Sequence, residues 1–171
     1  MHNKSILIGE GSLIIQCAEL LLEREHEILG IISLDGLIEG WAKEKGISHI
    51  QPTDNLLAFV SQQPFDYLFS INNKAVLPKE ILDLPQQYAI NFHDLPLPKY
   101  AGVNVASWAL MQREKAYGVT WHVMTELVDG GDILKQVPID INERETTFTL
   151  KVKLYEAAIR SFAELIDELS S

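Results

Sequence analysis

The chain has one cysteine, Cys17, in 171 residues, which excludes an internal disulfide and a cysteine-rich metal site. Its neighbours Ile15, Ala18 and Leu21 have helical spacing, so Cys17 reads as a buried packing residue. No apolar run approaches the roughly 18 residues of a membrane span. Met1 to Ser5 carries no positive region followed by a long apolar stretch, so no secretory signal is read there. A cytoplasmic protein with no membrane partner is the expectation. Basic residues are also scarce, 14 Lys and Arg against 24 Asp and Glu, for a net charge of -10. With no basic run to neutralise phosphates, unaided nucleic-acid binding is not expected. Repeats, low-complexity stretches and linkers are absent as well, and 47% hydrophobic with 22% charged residues is ordinary for one globular domain over residues 1–171.

What is present alternates. Ser5 to Ile8 predicts a strand, Gly9-Glu10-Gly11-Ser12 a tight turn, and Leu13 to Arg24 a helix with Ile14, Cys17, Ala18 and Leu21 on its inner face. Glu27 to Leu34 predicts a strand, Leu37 to Lys45 a helix closed by Gly46, and His49-Ile50 a minimal strand. Asn55 to Gln62 and the segment from Pro78 to Leu82 read as short helices flanking a buried strand, Asp66 to Ile71. Tyr88 to Phe92 is the next strand and Asn104 to Gln112 a helix. Gly118 to Met124 and Leu134 to Ile141 form a strand pair, and a long amphipathic helix capped by Thr146 or Thr147 runs to Leu169. Alternation of this kind implies an α/β fold: a Rossmann-like, open, mostly parallel twisted sheet with helices on both faces. Its ligand crevice lies beyond the carboxyl ends of the strands, where the turn at Gly9, the loop from Ser70 to Leu77 and the segment after Asn91 converge.

The chemistry-bearing residues are densest at Asn91-Phe92-His93-Asp94, followed by Leu95-Pro96-Leu97-Pro98 and a loop ending in Gly102. Strand alternation sends Asn91 and His93 to the same side. Further on, Val128-Asp129-Gly130-Gly131-Asp132 puts a carboxylate at a glycine turn after the strand carrying Trp121 and His122. Taken singly, Asn91 also suits a turn, His93 a structural role and Asp129 a plain glycine turn. His93, Asp94 and Asp129 lack the ligand spacing that argues for zinc, so no metal is expected.

In order and spacing, however, Asn91-Phe92-His93, Leu97-Pro98 to Gly102, Gly118-Val119-Thr120-Trp121-His122 and Asp129-Gly130-Gly131-Asp132-Ile133-Leu134-Lys135-Gln136 resemble the signature of the folate-dependent formyltransferases. Leu95-Pro96-Leu97-Pro98 departs from that family's usual Ser-Leu-Leu-Pro. The resemblance implies a formyltransferase fold and transfer of a formyl group from 10-formyltetrahydrofolate to an amine. It implies Asn91 and His93 as donors to the developing oxyanion and Asp129 as proton relay. It also implies a folate pocket formed by Ser70, Ile71, Asn72, Asn73, Ala75, Val76 and Leu77 with Thr125, Glu126, Leu127 and Val128. The acceptor would meet Gly9, Gly11, Ser12, Tyr100 and Gly102.

For Gly9 to Ser12 two readings stand: an anion site at a helix start, or a glycine turn packed closely between strand and helix. The run from His93 to Gly102 with Asn104, Ser107-Trp108 and Thr120-Trp121-His122 looks most like the formylation domains of nonribosomal peptide synthetases. That likeness implies an aminoacyl thioester on a carrier domain as acceptor, and a chain that is one part of a larger protein. An amino-sugar nucleotide is the second acceptor class. Two other readings compete: a dinucleotide-dependent oxidoreductase, from Gly9-x-Gly11 and Asp35, and a folate-binding module without catalysis.

Overall fold

In the computed structural model the residues described are 2–94, 116–127 and 130–170. The expected helix from Asn104 to Gln112 lies outside them. Strand β1 (Lys4–Gly9) leads through Glu10 and Gly11 into helix α1 (Ser12–Glu23), and β2 (Glu27–Ile32) into α2 (Gly36–Lys45). The Asp35 side chain caps the start of α2, and Gly46, at φ 70°, ends it in the left-handed conformation. Next come β3 (His49–Ile50), α3 (Leu56–Val60), β4 (Tyr67–Ile71), α4 (Lys79–Leu82) and β5 (Tyr88–His93). The antiparallel strands β6 (Ala116–Val123) and β7 (Ile133–Asp140) precede α5 (Thr147–Leu169). Thr146 is the residue that caps α5, exchanging hydrogen bonds with Thr149.

Among the described residues the strands form one seven-stranded sheet in the order β3-β2-β1-β4-β5-β6-β7. From β3 to β5 the pairings are parallel, and β6 and β7 are antiparallel additions. The sheet is therefore wound outward in two directions from β1, and the direction reverses between β1 and β4. Each face buries its own core. On one face Leu7, Phe69, Ile90 and Trp121 pack beneath Ile14, Leu21, Ile38, Leu154 and Phe162 of α1, α2 and α5. Cys17 is fully buried in this core, as expected of a packing residue, and burial pushes its thiol well above the ordinary range. On the other face Ile6, Ile8, Ile32, Leu68 and Ala89 meet Val60, Phe65, Leu77 and Ile81. Near the carboxyl ends of β4 and β5 this second face turns polar.

Gly9 marks the reversal. It pairs with Ile71 across the β1–β4 ladder at φ 147°, and a Cβ on it would lie 1.7 Å from the Ile71 carbonyl oxygen. Two chain segments diverge from this contact, so only a residue without a side chain fits.

Candidate active site

Ser70 of β4 pairs with Asn91 of β5, and Asn91 pairs with His122 of β6. Paired residues share a face, so three polar side chains form one row across three strands. Their neighbours in the strands (Leu68, Ala89) place the row on the second face, where the apolar cover gives way. His93 and its partner Thr120 form the next row, and Gln136 of β7 donates from Nε2 to Thr120 Oγ1 at 2.9 Å.

Hydrogen bonding orders this row. His122 is 3% exposed, and its Nδ1 lies 3.0 Å from the Val123 carbonyl oxygen, which can only accept. Nδ1 therefore carries a hydrogen, and in the neutral ring Nε2 is an acceptor. Asn91 Nδ2 lies 3.3 Å from that Nε2, so Asn91 turns its NH2 group, not its carbonyl, toward β6. One amide hydrogen serves His122. The His93 ring stacks beside that of His122, centroids 5.2 Å apart and planes 27° from parallel.

The row floors a cavity of about 490 Å3. Its walls come from two loops, one from Asn72 to Leu77 and one at Met124 to Leu127, with Leu82 of α4 behind. Both loops are held by their own side chains. Asn73 donates to the Ala75 carbonyl at 3.0 Å and accepts from the Ala75 N–H at 3.2 Å, while Thr125 donates to the Leu127 carbonyl at 3.2 Å. Asn72 supports the first bend by adopting φ 52°, a conformation asparagine tolerates. Val76 and Leu127 stand largely exposed at the rim, 76% and 74%.

Of the residues expected around folate, Ser70, Asn72, Asn73, Ala75, Val76, Leu77, Thr125 and Leu127 line this cavity, and Asn91 and His93 line it too. Two others, Ile71 and Glu126, do not line it. Ile71 is fully buried in the core on the opposite face, because alternation after Ser70 turns it away. Glu126 is not among the lining residues and lies 4.0 Å from Lys79 on the surface. Lys74, Phe92, Asp94 and His122, which the sequence reading placed in the loop and the motifs without naming them as pocket residues, also line the cavity, as do Leu82 and Met124. His122 was legible in principle, since the alternation of β6 puts it on the same face as Thr120. Asp129, Val128, Tyr100 and Gly102 lie outside the described residues. On either side of positions 128 and 129, the Gly130 N–H donates to the Leu127 carbonyl at 3.1 Å. Gly131 abuts the Val123 carbonyl, 1.6 Å from where its Cβ would be.

The first turn is occupied by the protein's own groups. Glu10 accepts from the Ser33 hydroxyl at 3.0 Å and from the Leu34 N–H at 2.9 Å. One oxygen of Asp35 accepts the Gly11 N–H at 3.3 Å and the other the Leu37 N–H at 2.9 Å. Ser12 is bonded to the Tyr155 hydroxyl at 2.9 Å. The helix start thus faces two carboxylates. Of the two readings of Gly9 to Ser12, this geometry favours the closely packed turn over the anion site.

The family model of the formyl transferases matches residues 51–166. The bifunctional polymyxin resistance protein ArnA of Wigglesworthia glossinidia brevipalpis is 35% identical over 125 residues, which are 68% of this chain and 19% of that protein. The methionyl-tRNA formyltransferase of Thermodesulfovibrio yellowstonii is 29% identical over 185 residues, covering 99% of this chain and 60% of the relative. The chain therefore spans less than two thirds of the length of either. Among solved structures, phosphoribosylglycinamide formyltransferase from Bacillus halodurans superimposes with a TM-score of 0.87 at 19% identity, over 99% of this chain and 96% of that one. The enzyme of the same name from Streptococcus pneumoniae gives 0.84 at 17% identity over the whole of both chains. The solved structures share the fold of this chain, and with most of its sequence matched by the family model the protein belongs to the formyl transferase family.

Proposed function

We propose that this protein transfers a formyl group from 10-formyltetrahydrofolate to a primary amine, with Asn91, His93 and Asp129 carrying the chemistry. The observation that carries this reading is the Asn91–His122 hydrogen bond. It commits one amide hydrogen of Asn91 and leaves the other available at the cavity floor beside His93. The cavity suits the donor: apolar walls from Leu77, Leu82 and Met124 meet a flat heteroaromatic ring, and two self-braced loops offer backbone groups for its polar edge.

When bound, the folate supplies an N-formyl group whose carbonyl carbon the amine attacks. A bond forms from the amine nitrogen to that carbon, the carbon's bond to the folate nitrogen breaks, and the proton lost by the amine ends on the folate nitrogen. Asn91 donates to the oxygen on which negative charge builds, an interaction stronger in the transition state than before it. His93 adds a second polar group at the same floor. Asp129 is assigned the proton relay on the strength of its family motif.

For the acceptor, the occupied turn is informative. Its Gly11 N–H already serves Asp35, and Glu10 stands beside it, so an acceptor anchored there through phosphate meets two negative charges. Leu34 and Leu37 are 61% and 78% exposed next to this turn and provide apolar contact. These features support an α-amino group presented as a carrier-bound aminoacyl thioester.

The test is release of tetrahydrofolate from 10-formyltetrahydrofolate in the presence of aminoacyl carrier domains, amino-sugar nucleotides or glycinamide ribonucleotide, with His93→Ala as control. Turnover with the carrier-bound substrate, abolished by the substitution, is expected. Folate binding with no turnover for any amine would replace this reading with that of a binding module.

A further inference from the structure

Ser70 is 1% exposed and lines the cavity, yet its hydroxyl has no hydrogen-bond partner among the described residues. A strand serine has no carbonyl of its own preceding turn to fall back on, as a helical one does. Its row neighbours explain the isolation. On one side is the apolar Ile8, and on the other is Asn91, whose NH2 group turns away toward His122. Buried polar groups in folded proteins are nearly always satisfied, and an exception calls for a cause, a catalytic role being one.

We propose that the Ser70 hydroxyl is a further hydrogen-bond donor to the formyl oxygen, beside Asn91 and His93. The inference rests on the formyl-transfer reading and adds to it a residue from a different strand. Asn91 offers that oxygen only one hydrogen, because its other is committed to His122, so a further donor strengthens the site that Asn91 and His93 form. An oxyanion site works through two or more fixed donors. Ser70 and Asn91 are register partners on one face of adjacent parallel strands, so their donors rise from the same floor with no loop between them. The hydroxyl hydrogen turns freely about the Cβ–Oγ bond, which lets it follow the oxygen as the formyl carbon becomes tetrahedral.

The experiment compares the protein with Ser70→Ala and Ser70→Thr in three measurements: thermal midpoint, dissociation constants for 10-formyltetrahydrofolate and tetrahydrofolate, and turnover. Ser70→Ala is expected to keep or raise the midpoint, since it removes an unsatisfied group. It should weaken the formylated folate about fivefold to tenfold while leaving tetrahydrofolate unchanged, and lower kcat at least about tenfold. Ser70→Thr, which keeps the hydroxyl, restores the preference for the formylated compound. Equal binding losses for both folates, no loss for either, or a fall in midpoint matching the fall in activity would each overturn the proposal. Should the unsubstituted protein bind formylated folate but transfer to no amine, the transfer reading fails, while the binding difference still decides the role of Ser70. If it binds neither folate, both fail.

Discussion

Asn91 and His122 face each other across the β5–β6 ladder, and the 3.3 Å contact between them decides which end of the asparagine amide points where. A residue outside the expected catalytic set thereby governs one inside it. His122→Phe keeps the bulk and aromatic packing but removes the acceptor, so the Asn91 amide is free to flip. The expected result is a fall in kcat of about tenfold to a hundredfold, as for loss of a group that orients a catalytic side chain. KM for the folate should stay within about twofold. Steady-state kinetics separate the two, and a change confined to KM contradicts the assignment.

The occupied first turn makes a separate prediction. Asparagine caps helices about as well as aspartate, but each amide keeps only one of the two accepting oxygens that Asp35 and Glu10 use, so Asp35→Asn combined with Glu10→Gln should lower the thermal midpoint without unfolding the protein. The pair of substitutions removes two negative charges from the start of α1. Inorganic phosphate should then inhibit at least about fivefold more strongly than it does the parent protein. Unchanged phosphate sensitivity would mean that the carboxylates do not shape what the turn admits.

Gly9 and Gly11 stand two residues apart with different constraints. Alanine at Gly9 collides with the Ile71 carbonyl at 1.7 Å, a clash between two backbones that no rotamer relieves. Alanine at Gly11 pays only for φ 86°, its nearest neighbour being Asn72 Nδ2 at 4.0 Å. Urea unfolding should show a loss above about 3 kcal/mol for Gly9→Ala and about 1 kcal/mol for Gly11→Ala.

His26 ties stability to acid. It is 6% exposed with Nδ1 3.4 Å from the Ser5 hydroxyl, and burial holds its imidazole below the ordinary 6.5, against a smaller opposing pull from Asp66 and with a small further lowering from Arg24. A histidine with a lowered folded pKa binds its proton more readily unfolded. Its contribution is therefore complete above about pH 6.5 and is lost as pH falls from there toward the lower folded value. His26→Gln should flatten the pH dependence of the urea midpoint between about pH 7.5 and 5.5. An equally steep profile in the variant would assign the acid sensitivity elsewhere.

Much of this molecule was legible in its sequence because local rules govern it. The strand–helix alternation, the capping threonine at the last helix and the shared face of Asn91 and His93 all follow from periodicities of two and 3.6. The same alternation, applied one residue past Ser70, excludes Ile71 from the cavity, a step the family resemblance obscured. What was not legible depends on partners far along the chain. Asp35 closes the turn at Gly11 from the end of another strand, and the register that sets Ser70, Asn91 and His122 in one row is decided by the pairing of three strands. No window of sequence contains such a pairing.

The change of direction at β5, parallel to β4 but antiparallel to β6, has a corollary. Strand β5 delivers its polar groups at its tip, whereas β6 delivers His122 and Thr120 from within a ladder braced by β7. The groups to which the proposed transfer is assigned are thus anchored in woven backbone, while the turns proposed to meet the amine hang from the open ends of the parallel strands. Changes confined to those turns leave the β5–β6–β7 weave, and whatever it holds in place, intact.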